Sequence, residues 1–146
     1  MHFAAGGIWD STDIKKFLSL GASGVQMATR FVATNECDAS IEFKKAYVNA
    51  KAEDIKIINS PVGMPGRAIC NNFIKRVEKE KCKIDKCYNC IKTCNVIDSP
   101  YCITKALINS VKWQTEDGLI FCGSNVSRIK EIVSVKDLMQ ELVCKL

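Results

Sequence analysis

Ala4-Ala5-Gly6-Gly7-Ile8 and Gly24-Val25-Gln26-Met27-Ala28-Thr29-Arg30-Phe31 decide how this chain reads. Each is a short apolar run that ends in small or hydroxyl residues, and Ser11 to Leu20 between them has the apolar spacing of an amphipathic helix. The pattern predicts one βαβ unit with two parallel strand ends side by side. Gly6 and Gly7 lack a Cβ, so their backbone N–H groups can approach an anion closely, and Thr29 adds a hydroxyl donor. Parallel α/β sheets present the C-terminal ends of their strands to ligands, so both clusters face one crevice. Two readings stay open on spacing alone: a split phosphate cradle, or an ordinary tight turn between strand and helix.

Gly6-Gly7, together with Gly21 to Phe31, resembles the seventh and eighth barrel strands and FMN phosphate loops of the nitronate monooxygenase (2-nitropropane dioxygenase-like) flavoproteins. That family includes the FMN-dependent enoyl-acyl carrier protein reductases of the second type. Ser60-Pro61-Val62-Gly63-Met64-Pro65-Gly66-Arg67-Ala68-Ile69 resembles a segment that follows the barrel in the reductase-like branch. The resemblance implies an FMN-dependent oxidoreductase. Its reaction would be oxidation of nitronates or nitroalkanes, or NAD(P)H-dependent reduction of an enoyl thioester with an acyl carrier protein as partner. By position, Gly6 and Gly7 would offer amides to the FMN phosphate, Ala28 and Thr29 would close it, and Gln26 would sit beside the flavin. Ala28 stands where the family usually has glycine, which implies weakened binding at most.

The implied fold is α/β: the last two βα units of an FMN-binding TIM (β/α)8 barrel, followed by a mostly helical, cysteine-rich extension. A complete barrel needs roughly 250 residues and this chain has 146, so it is expected to carry only the C-terminal part of such an enzyme. Residues 1–80 would be the barrel part and 81–146 the extension, with a boundary near Lys79 to Cys82. The single histidine, His2, matches no catalytic position and reads as a strand-start residue, and no catalytic residue is assigned. Both strands read as buried on two faces and short of sheet neighbours, which invites self-association.

A hydrophobic fraction of 47% with 25% charged residues fits a soluble folded chain, and no apolar run approaches a membrane span. The absence of an export signal and nine cysteines, an odd number, argue against a disulfide framework and for a reducing cytoplasm. Lys75, Arg76, Lys79, Lys81, Lys83 and Lys86 form a basic stretch, read either as a solvated helix face or as a surface for an acidic partner. Nucleic acid is disfavoured, because aromatic residues are not interleaved with the basic ones and the formal net charge is only +5.

Cys82, Cys87, Cys90 and Cys94 form a C-x4-C-x2-C-x3-C array with Cys102 following. Thiolates are soft ligands, and an array this dense predicts an iron-sulfur cluster or a tetrahedral zinc. A Cys87/Cys90 redox pair and free structural thiols are the alternatives. Cys37, Cys70, Cys122 and Cys144 read as small core residues. Three functions from different classes therefore remain: the flavin oxidoreductase portion, a metal-binding module, and an inactive remnant that needs a partner to complete its barrel.

The remaining elements follow from periodicity and punctuation. Ser11 to Asp13 supply N-cap types for the first helix, with Ile14, Phe17 and Leu18 on one face and Gly21 closing it. Asp38 or Ser40 caps a second helix that aligns Phe43, Ala46, Tyr47 and Ala50. Ile55 to Ile58 reads as a strand, Pro61 to Gly66 as a loop, and Ile69, Phe73 and Val77 as a helical stripe. Arg67 in that loop is either an anion clamp or, preferably, a structural brace. Ile103, Ala106 and Leu107 mark another helix, Asp117-Gly118 a turn, Leu119 to Phe121 a short strand, and Ser134 to Asp137 a capping box before a final helix.

Overall fold

The computed structural model describes residues 1–92, 94–144 and 146. Strand β1 (Phe3–Ala5) is followed by helix α1 (Ser11–Ser19), strand β2 (Gly24–Gln26) and the short helix α2 (Thr29–Val32). β1 and β2 pair in parallel, with Phe3 opposite Gly24 and Ala5 opposite Gln26, so the expected βαβ unit is present. The cap of α1 lies one residue earlier than expected. Asp10 accepts from the Thr12 and Asp13 amides at 3.0 and 3.1 Å, while Asp13 reaches back to the Trp9 amide at 2.8 Å. At its other end the Ala22 amide bonds the Phe17 carbonyl and the Gly21 amide bonds that of Leu18, with Gly21 at φ +92°. This Schellman turn reverses the chain into β2.

Helix α3 (Ile41–Asn49) is capped by Ser40, whose hydroxyl accepts from the Phe43 amide, and it buries Phe43 and Tyr47. Strands β3 (Ile55–Ile58) and β4 (Gly66–Ile69) form an antiparallel hairpin. This corrects two expectations. Arg67 lies in β4 opposite Ile57 and not in the loop, and Ile69 ends that strand and does not belong to a helix. The helix α4 (Asn72–Val77) starts only after Asn71, which caps it. Residues 78–102 contain no helix or strand among those described, and α5 (Ile103–Lys112) follows. The stretch Leu119 to Cys122 runs beside β4 through an isolated Ala68–Phe121 bridge and the bonds Ile69 N–H to Ile120 O and Cys122 N–H to Arg67 O. Helix α6 (Val135–Val143) is capped by Ser134, which bonds both the amide and the carboxylate of Asp137.

Three apolar clusters hold these elements together, and each joins distant parts of the sequence. Ala33, Phe43 and Tyr47 pack with Ile120, Val126 and Ile129. Ile58, Ala68 and Ile74 pack with Tyr101, Ala106 and Leu119. Ile8 and Ile14 pack with Leu138 and Leu142 of α6. The β1–β2 sheet is not buried on two faces as expected: Phe3 is 64% exposed, since α1 and α6 cover one side of a two-stranded sheet. Cys37, Cys70 and Cys122 are half-buried, but Cys144 is exposed at the end of α6 and is not a core residue.

Candidate functional site

Parallel pairing carries the ends of β1 and β2 to the same edge, where Gly6-Gly7 and Met27-Ala28-Thr29 flank a cleft of about 230 Å³. All five residues expected to bind cofactor, Gly6, Gly7, Gln26, Ala28 and Thr29, line it. Gly6 and Gly7 adopt φ +88° and +74°, a region that strains any side chain, and a Cβ built on either meets no atom within 4 Å. The space above the loop is therefore open to a ligand. The cleft is smaller than the roughly 300–1,000 Å³ of pockets that enclose a whole small molecule, so it suits the anionic end of a larger one.

A third wall was not foreseen. Gly123, Ser124 and Asn125 complete the cleft from the far end of the chain. The Gly123 amide donates to Thr29 Oγ1 at 2.8 Å, which engages the oxygen and leaves the hydroxyl hydrogen to donate elsewhere. The Asn125 side chain donates to the Gly7 carbonyl at 2.9 Å and fixes the glycine loop. A Cβ at position 123 would lie 2.9 Å from Thr29 Oγ1, so only glycine permits this approach. The local signal for this wall was slight: a glycine after an apolar run, with nothing to show which strand end it would meet.

Trp9 and Arg30 also border the cleft. The guanidinium groups of Arg30 and Arg128 each stand 4.6 Å from the Trp9 ring centroid. Arg30 donates to the Trp9 carbonyl and makes a two-point pair with Glu141 at 2.9 and 2.6 Å, so it braces α2 against α6. His2 lies just before β1 with an exposed side chain, outside the cleft, as a strand-start residue would.

The cysteine array divides. Cys87, Cys90 and Cys94 line a cavity of about 210 Å³ together with Cys102, whereas Cys82 lines the adjoining cavity beside Arg76, which Cys102 also borders. Among the described residues no three His, Cys, Asp or Glu side chains stand close enough to hold a metal ion. In the basic stretch, Arg76 pairs with Asp117 at 3.1 Å and Lys83 with Asp85 at 3.4 Å. Arg67 is exposed; its carbonyl receives the Cys122 amide, and its charge acts on the Cys122 thiol. Burial nevertheless pushes that thiol up from 9.0 to about 11, and burial likewise raises Tyr101 to about 12 and Tyr47 further still.

A strand-helix-strand unit with a glycine loop at the parallel strand ends is the arrangement of an α/β protein. Residues 3–145 match the model of the family described as nitronate monooxygenase, and the chain belongs to that family of oxidoreductases. A probable nitronate monooxygenase of Staphylococcus saprophyticus is 40% identical over 76 residues, which are 52% of this chain and 21% of that protein. One from Bacillus subtilis is 27% identical over 143 residues, 95% of this chain and 38% of that protein. Among solved structures, FabK from Thermotoga maritima superposes with a TM-score of 0.75 at 25% identity, over 98% of this chain and 43% of that one. The nitroalkane oxidase of Streptomyces ansochromogenes shares the fold, with a TM-score of 0.71 at 20% identity over 99% of this chain and 38% of its own. The chain thus spans less than half the length of these relatives. Among the described residues no helix is long and apolar enough to cross a membrane.

Proposed function

We propose that this chain supplies the phosphate-binding end of an FMN site in an oxidoreductase that acts on nitronates. One observation carries the reading: two left-handed glycines, the Thr29 hydroxyl and the loop at Gly123 converge on one open cleft sized for a phosphate. Gly6 and Gly7 let amides approach the anion without a side chain between, and Thr29, its oxygen held by Gly123, directs its hydrogen to it. Ala28 adds only a methyl group at the rim. Gln26, at the end of β2, stands beside the flavin, and Trp9 walls the phosphate end. The flavin, when bound, supplies the electron transfer to and from substrate; this chain's residues bind it, orient it and limit the water around its phosphate.

Nitronate as substrate is supported by the family match and the relatives' names. Enoyl thioester reduction with NAD(P)H, on a chain carried by an acyl carrier protein, is the second reading. It is favoured by the Ser60 to Ile69 segment and by the likeness to FabK.

The cleft is tested by titrating the purified chain with FMN and with riboflavin, following flavin fluorescence. FMN should saturate near one equivalent and riboflavin should bind far more weakly, because only FMN carries the phosphate. Gly7→Val forces a branched side chain into a left-handed position and fills the open space, and it should abolish binding. Equal affinity for the two flavins, or unchanged FMN affinity in Gly7→Val, would overturn the assignment.

A further inference from the structure

We propose that Cys87, Cys90, Cys94 and Cys102 form a four-thiolate site for one zinc ion, with Cys102 in place of Cys82. The proposal is independent of the flavin cleft. All four cysteines line a single cavity of about 210 Å³, which Cys82 does not line, although Cys102 also borders the adjoining cavity where Cys82 stands. The segment that supplies the first three has little else to hold it. Residues 78–102 are longer than the roughly 12–15 residues at which connections without regular structure become uncommon. Only Ser99 and Tyr101 are buried among the residues described there. Its ends are nonetheless tied, since the Cys82 amide donates to the Pro100 carbonyl at 2.8 Å, so the intervening chain is a closed loop. A metal ion is the economical way to give such a loop a core.

The turn at Cys87 is already shaped for this role. Asn89 takes φ +48°, the one non-glycine residue with positive φ among those described, and its amide donates to Cys87 Sγ at 3.4 Å. Backbone N–H donors to sulfur are the kind of outer contact that supports metal-bound thiolates. Four thiolates around a divalent ion carry a net charge of −2. Lys92 on the cavity lining, with Lys86 next to Cys87, offsets it.

The sulfurs do not yet stand at metal-binding distances, so loading draws them together. Cys87 gives up its 3.4 Å contact with Asn89 Oδ1, and Cys94 its 3.3 Å contact with Ser99 Oγ. The step balances as four thiols plus one zinc ion giving one tetrathiolate and four released protons. A zinc ion needs no further component, whereas an iron-sulfur cluster also requires inorganic sulfide.

The test begins with chain stripped by a chelator under reducing conditions and reloaded with Zn²⁺, or with Co²⁺ as a coloured probe. One equivalent of zinc should bind with release of close to four protons, and Co²⁺ should show the sulfur charge-transfer absorption of a tetrahedral thiolate site. Cys82→Ser should keep full stoichiometry and Cys102→Ser should lose it. Cys102 makes no side-chain cap bond to α5, so the helix should survive that change, as far-UV circular dichroism will verify. Zinc binding should also protect residues 78–102 from proteolysis. No zinc uptake, release of two protons or fewer, iron with acid-labile sulfide in the purified protein, or loss of zinc in Cys82→Ser but not in Cys102→Ser would each overturn the proposal.

Discussion

Asn71 shows how one side chain can serve two structural ends. Its Oδ1 caps α4 by accepting the Ile74 amide at 3.0 Å, while its Nδ2 donates to the Thr115 and Gly118 carbonyls at 2.5 and 2.8 Å. As caps alone, Asn and Asp are nearly equivalent. Here Asp would keep the cap but place a carboxylate against two carbonyl oxygens that have lost their donor. Asn71→Asp should therefore destabilise the chain at least as much as Asn71→Ala, each by about 2–3 kcal/mol. Urea denaturation decides it, and a near-neutral Asn71→Asp would show that the two carbonyls are satisfied in some other way. The residue scale is also where the sequence was least readable. Asp10 outcompeted Ser11 as cap because its carboxylate reaches two amides at once, which composition around a helix start does not rank.

Between elements, close approach matters more than propensity. The turn residue Gly118 lies against α5, where an added Cβ would come 2.4 Å from the Ser110 amide nitrogen and 2.6 Å from its Cα. Its φ of −125° suits any residue, so Gly118→Ala tests packing alone. A loss of about 1–3 kcal/mol is expected, read as a lower denaturation midpoint with unchanged slope; no shift would mean that the turn moves freely away from α5. Helices α1, α3 and α6 were legible in the sequence, because an apolar stripe and a capping residue coincide in each, and α5 from its apolar stripe alone. The β3–β4 hairpin was half legible. Ile55 to Ile58 reads as a strand, but Gly66 to Ile69 follows a proline-glycine loop and has too few residues for an alternation to show.

Across the whole molecule, the buried acids set a limit on alkaline stability. Cys122, Tyr101 and Tyr47 are all held protonated in the fold, chiefly by burial. Their ionisation is easier in the unfolded chain. The stability they confer is complete below about pH 9 and is lost as pH rises through the raised values near 11 and 12. The melting temperature should fall steadily from pH 9 to 11, and Cys122→Ala should lessen the first part of that fall; a flat profile would mean these groups are solvated. The βαβ end of the cleft was legible from local glycine and hydroxyl patterns. The Gly123 wall and the grouping of Cys102 with Cys87 were not, since they arise only when segments far apart in sequence meet. The bond between Gly123 and Thr29 has a consequence of its own. An amide that donates to a hydroxyl, which in turn donates to a bound anion, is polarised through it. The Gly123 proton is thus wired to the cleft, and its nuclear magnetic resonance should move downfield when the cleft fills, so a single resonance can count occupancy without any chromophore.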